Sequence, residues 1–428
     1  MAERKPRAGK RLLLATGFAI ALIAGVVAWR QNLNADPQLV IPLPHKAPNP
    51  NGFDVYVKAA QMIVPANPAV DEVNDGRPPT DPKIRAQQYS LANKEAWLRR
   101  NAASFSLMQT ALKMKSLAPS MRGKIIFPPY APLRKLTRSK TIERKVREIH
   151  GDWNGAVQSQ IDTVQMGNGI ARGGTLISGL VGIAIEAIGR NDPWENVEHL
   201  NAAQARAAIA RLQAIYNSRF TYAESMQEEK WYAVSQLLNA MHKGSWRQQF
   251  INPNYLLLPA RIQLFASSKR RVMDNLIQMF DAQIANAQQP YTSPQKPLPE
   301  GDAVTQVLAP VYNKTRAAFA RGDAGNALWL TALALRAYKL EHNAYPTKLQ
   351  ELVPNYLKQV PADPFGGGEA LRYKRAGNSY VLWSIGPDGI DDVGTPMQSS
   401  QGPLAGQAPR LPQVGLDSKG DYVAGKNR

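Results

Sequence analysis

Between Arg11 and Arg30 the chain carries the run LLLATGFAIALIAGVVAW, residues 12–29, without a charge. As a helix, a run of this length just spans the hydrocarbon core of a bilayer. Five cations precede it, Arg4, Lys5, Arg7, Lys10 and Arg11, and such a flank holds its end of a span on the cytoplasmic side. The expectation is a single-pass signal anchor, with residues beyond it on the far side of the membrane. Cleavage as a signal peptide is the alternative. Its apolar region would normally be shorter, and the sequence offers only a weak small-residue site near Ala35. A buried soluble helix fits the basic flank less well.

The whole chain, 428 residues, is long enough for two or three domains. Its 44% apolar and 20% charged residues are those of globular material. Without cysteine, it cannot hold disulfides or thiolate metal sites or use a cysteine nucleophile. The net charge of +19 attracts polyanions in general: anionic lipid, acidic polymer or nucleic acid.

The predicted organisation is mainly α. After the basic flank and anchor (1–30), a Pro-rich stalk covers 31–52. An α-helical domain follows over 53–288, interrupted by a Pro/Asp/Asn-rich loop at 64–82. Within it, TLISGLVGIAIEAIGR is apolar all round apart from Glu186, which predicts the central helix of a bundle. The helix-hairpin rhythm is compatible with a tetratricopeptide-like stack. A Pro-rich linker (289–301) leads to a helix at about 303–320. A second, strongly apolar helix is stopped by Pro346, and a small α+β module with antiparallel strands extends to 396. Leu371 and Tyr373 mark one strand; Tyr380, Leu382 and Ser384 mark the other, joined through AGN. Trp329, Leu335 and Tyr338 should pack the apolar helix on these strands. Residues 397–428, rich in Gly, Pro, Gln and Ser, read as a flexible tail.

The stretch GPDGIDDVGTP after the second strand groups Asp388, Asp391 and Asp392 between glycines. Calcium takes six to eight hard oxygens, several of them backbone carbonyls. Those of Leu382 and Ser384 would extend the set. The same residues make a well-formed hairpin turn with solvated aspartates, since Asp-Gly favours tight turns.

From Leu328 to Pro396, the segments ALRAYKLEHNAYPTKLQELVP and ADPFGGGEALRYKRAGNSYVLWSIGPDG resemble the C-terminal part of the major pseudopilin of bacterial type II secretion systems. The resemblance implies a helix, a Tyr-Pro turn, an Asp-Pro-aromatic-Gly turn and a two-stranded unit, with calcium in the loop after the last strand. It also implies a bacterial inner membrane and a periplasmic location. The helical part, with NGFDVYVKAA and GGTLISGLVGIAIEAIGR, is similar to signal-anchored bacterial envelope proteins, a likeness that implies no activity.

Other constellations are weaker. Residues 133–150 hold seven basic residues against two glutamates, Lys135, Arg138 and Lys145 among the cations. They suit lipid headgroups or an acidic polymer, or form a solvated helix face, the simpler reading. Without aromatics the stretch does not suit single-stranded nucleic acid. His45, His150, His199, His242 and His342 show no metal spacing, and no P-loop, dinucleotide or Gly-x-Ser-x-Gly fingerprint occurs. The expected function is therefore a structural or interaction protein of the bacterial envelope, membrane-anchored and periplasmic, possessing protein partners and belonging to a secretion- or pilus-related assembly. A periplasmic hydrolase of cell-wall polymers and a polyanion-binding module are the alternatives. No specific nucleic acid is expected.

Overall fold

Two glycines set the closest helix pair. Gly167 and Gly182 face each other so tightly that a Cβ at Gly167 would lie 2.6 Å from the Gly182 carbonyl oxygen. They belong to α6 (Trp153–Ala171) and α7 (Leu176–Gly189), which pack along their length. The computed structural model describes residues 7–64, 90–124, 128–244, 246–247, 267–297, 303–397 and 419–425, and side chains of 7–20, 303–311 and 313 are not among them. The chain is mainly helical with one small antiparallel sheet.

In chain order the earlier helices are α1 (Arg7–Asn34), α2 (Gly52–Gln61), α3 (Leu91–Arg100), α4 (Ala102–Leu112) and α5 (Tyr130–Ile149). After α7 come α8 (Trp194–Glu198), α9 (Ala202–Asn217), α10 (Tyr222–His242), α11 (Lys269–Ala287) and α12 (Ala303–His342). Their lengths run from 5 residues in α8 to 40 in α12, so they do not repeat as pairs of fixed length, contrary to a tetratricopeptide-like stack. The strands are β1 (Arg372–Ala376), β2 (Ser379–Ser384) and β3 (Tyr422–Val423), in the order β1-β2-β3.

The described chain forms two compact units. The smaller comprises residues 1–43, 230–282 and 297–310. In it Asp36 pairs with Lys269 at 2.6 Å, so the first part of the expected stalk is tied to α11. On α1 the side chains of Leu22, Ile23, Val26, Val27 and Trp29 are about half exposed. Among the described residues, no helix is long and apolar enough to cross a membrane.

The larger unit comprises residues 44–229, 283–296 and 311–428. The expected separation of a helical domain from a terminal module is not seen. One core joins Val157 and Ile161 of α6, Leu212 of α9 and Trp329 and Leu335 of α12 to Leu371 and Leu382. Tyr338 packs against this core, as the sequence predicts. A second core gathers α2, α4, α5 and α6 around Phe53, Met108, Leu136 and Met166.

The helix at the centre is α6 and not the more apolar α7. Most of α6 is buried, its polar residues included, whereas Ile177 of α7 is 42% exposed. Buried polar side chains on α6 find partners: Thr163 donates to the Ser159 carbonyl, and Gln160 accepts from Asn196. A satisfied polar residue can be buried at little cost, so hydropathy alone does not rank helices by depth.

Helix α12 also departs from expectation: the helix expected at about 303–320 and the apolar helix before Pro346 are one, running through Gly322 and Gly325. Gly325 admits the Arg190 guanidinium; a Cβ there would meet its Nε at 2.8 Å. The Pro-rich linker is likewise pinned. Asn286 donates to the Lys296 carbonyl and accepts from its N–H, and Arg316 donates to the carbonyls of Gln289 and Pro290.

The hairpin matches the sequence reading. Gly377 takes φ +59° at the turn, and Tyr373 faces Leu382 across the ladder. The tail does not: β3 adds to β2 at Trp383–Val423, and Asp421 is fully buried. The remaining tail, residues 398–418 and 426–428, and the loop 65–89 lie outside the described residues.

Candidate functional site

A cleft of about 940 Å³ opens on the larger unit, lined from segments far apart in sequence. Its construction begins at Asn51, the N-cap of α2. The Asn51 side chain accepts from the N–H groups of Phe53 and Leu117 and donates to the Leu117 carbonyl at 2.9 Å. Gly52 N–H donates to the Lys115 carbonyl at 2.9 Å. These bonds fix the segment after α4 against the start of α2 and bring Lys115 to the rim. Ser116 then donates to the Gly169 carbonyl at 2.8 Å, closing that segment onto α6.

The charged lining is one-sided. His45, Lys46, Lys115, Arg172 and Arg211 contribute to it, and among the described residues no carboxylate does. The Arg211 guanidinium is aimed by Gln158 at 2.9 Å, Gln165 at 3.0 Å and Asp162. Asp162 sits behind it and also faces Lys140 at 3.4 Å, so one carboxylate serves two cations. Arg172 donates to the Ser218 carbonyl. Among the described residues, the Lys46 and Lys115 side chains form no hydrogen bond or ion pair, and both are exposed. Leu112, Met114 and Leu117 give one apolar wall, and Ala214 and Ile215 of α9 give another. Tyr56 stands at the base, where burial raises its phenol above the ordinary value. Such a cleft attracts anions and offers them apolar contact. No acid–base pair lines it.

Apart from the net charge, no signal in the sequence marks this site. Its residues span 45 to 218, and His45 drew notice only for its lack of metal spacing.

The Asp-rich loop is held by hydrogen bonds within the protein. Among the described residues, no group of three or more His, Cys, Asp or Glu could hold a metal ion, so Asp388, Asp391 and Asp392 are not brought together as ligands. Asp388 accepts from the Ile390 N–H. Asp391 accepts from Trp383 Nε1 at 3.0 Å, the Val393 N–H at 3.0 Å and Arg372 Nε at 3.3 Å. Against the cost of partial burial, these donors hold its carboxyl below the ordinary value. The Leu382 carbonyl accepts from the N–H of Ala424, just after β3, and the Ser384 hydroxyl donates to Asp363. The carboxylate that organises the loop is Asp421, which accepts from the N–H groups of Asp392 and Gly394. Burial raises its pKa despite those bonds. Protein donors therefore reach Asp388, Asp391 and the Leu382 carbonyl, three of the groups that the sequence assigned to a cation.

In the basic stretch, Lys135, Arg138 and Lys145 are half-buried on α5. On α5, Lys140 and Arg144 are buried. Lys140 pairs with Glu143 and Asp162, Arg144 with Glu148, and Arg147 with Glu143 and Asp152. Much of the charge is spent inside the fold. Of the histidines, His150 meets Glu95 at 2.7 Å, His199 stacks on Trp153, and His342 stacks on Tyr338. His242 lies 3.8 Å from Asp36 in the smaller unit.

No protein family, curated protein or solved structure matches this chain.

Proposed function

We propose that this chain is a membrane-tethered, non-catalytic binding protein of the bacterial envelope, with an anion-accepting cleft on its larger unit. The carrying observation is the cleft's charge: Lys46, Lys115, Arg172, Arg211 and His45 without a lining carboxylate. Concave sites with a few converging charged groups and apolar walls are where small ligands bind. The tether is the uncharged run 12–29. The exposed Leu22, Ile23, Val26, Val27 and Trp29 of α1 support it, since water does not favour such a row. The basic flank supports a periplasmic placement for the larger unit. The order of Asp-Pro turn, hairpin and Asp-Gly loop in residues 328–396 supports kinship with pseudopilins, and with it a place in a secretion-related assembly.

The test is calorimetric titration of the full chain, in phosphatidylcholine nanodiscs, with inorganic phosphate at low salt. Binding that is lost in the double substitution Lys46→Gln, Lys115→Gln supports the reading. Undiminished binding in that variant places the anion elsewhere and overturns it. Carbonate extraction tests the tether: the chain should stay with the membranes, and release into the supernatant sinks the anchor.

A further inference from the structure

We infer that the ligand of this cleft is an amphipathic anion: one phosphate or carboxylate headgroup on an apolar body. This inference rests on the anion-binding reading above and narrows it.

The walls carry the argument. A hydrophilic polymer needs cations along an open surface, and its binding is dominated by salt-dependent charge. Here the cations rim a concave site of about 940 Å³ that holds a small molecule or a single chain end. Between them lie Leu112, Met114 and Leu117 on one side and Ala214 and Ile215 on the other. Met114 and Leu117 are half-buried along the cleft, so an apolar body against them removes further surface from water. Met is also the side chain that best adapts to an irregular apolar guest.

The two kinds of cation divide the work. Arg211 is fixed by Gln158, Gln165 and Asp162, so its position is set before a ligand arrives. Asp162 offsets part of its charge. Lys46 and Lys115 have no partner among the described residues and are free to close on a headgroup. On α5, by contrast, Lys140, Arg144 and Arg147 are each paired with an acid.

The experiment uses the full chain in phosphatidylcholine nanodiscs and three probes of one size series: inorganic phosphate, hexyl phosphate and hexanol. Hexyl phosphate is expected to bind at least tenfold more tightly than either of the others. Lys46→Gln with Lys115→Gln should weaken it about tenfold. Met114→Gln, a half-exposed position, should weaken hexyl phosphate severalfold and leave phosphate unchanged. If phosphate binds as well as hexyl phosphate, the amphiphile is overturned while the anion cleft stands. Binding of hexanol as tight as that of hexyl phosphate overturns the headgroup. Should none of the three bind, both the inference and the anion-binding reading fail.

Discussion

The Ser384 hydroxyl donates to the Asp363 carboxylate at 2.6 Å, and both residues are almost wholly buried. The same carboxylate accepts from the N–H groups of Phe365 and Ile385 at 3.0 and 2.9 Å. One side chain in the Asp-Pro-Phe turn thereby fixes the end of β2, where the Asp-rich loop begins. Asp363→Ala would strand two buried N–H groups and a hydroxyl. The expected loss is about 3 kcal/mol, since each buried group left unpaired costs about 1–3 kcal/mol. Chemical denaturation of the full chain, followed by tryptophan fluorescence, measures it; an unchanged midpoint would refute the hub.

The contact between Gly167 and Gly182 leaves no room for a methyl group. In Gly167→Ala the new Cβ would lie 2.6 Å from the Gly182 carbonyl oxygen and 2.7 Å from Glu186 Cγ. Helices α6 and α7 must then separate, at about 2–3 kcal/mol, the usual penalty for overpacking. Gly151→Ala is the control for the helix ends nearby: it meets no neighbour within 4 Å, although its φ of +72° brings some strain. It should cost clearly less.

Glu186 gives the fold a pH dependence. Burial pushes its carboxyl up to about 7, opposed by Arg190 and the Asn326 amide. The folded chain therefore keeps the proton over a range in which the unfolded chain has released it. Stability is greatest below about 4.5, falls as pH rises to about 7, and is level above that as far as this group decides, a span of up to about 3 kcal/mol. Glu186→Gln should flatten that decline. Denaturation midpoints at pH 5 and pH 8 in both proteins check it, and equal slopes would refute the assignment.

Val393 is held at φ +56°, a conformation that crowds a β-branched side chain, and it is 71% exposed. Its N–H is kept there by Asp391. Val393→Asn removes the crowding without touching a buried contact and should raise stability by about 1 kcal/mol. A lower melting temperature for this variant would show that Val393 makes a contact worth more than the strain it bears.

Several elements were legible because their signals are local. The hairpin could be read from alternation on either side of Gly377-Asn378, and α9 is opened by Asn201 and Gln204, which cap each other reciprocally. The apolar face of α12 correctly marked Trp329 and Leu335 as core. Misreadings arose where a residue's role depends on a distant partner. Lys140 looks like surface charge until Asp162 lies beside it.

By itself, the sequence determined the periodic elements, the uncharged run and the excess of positive charge, because spacing of two or of three to four residues acts between near neighbours. Only the tertiary structure decided where that charge is spent. It neutralises part of it inside α5 and α6 and leaves Lys46 and Lys115 on one cleft with Arg172 and Arg211. The reason is that the fate of a charge is set by what lies within a few ångströms of it, and in this chain those neighbours are often 50 or more residues away along the sequence.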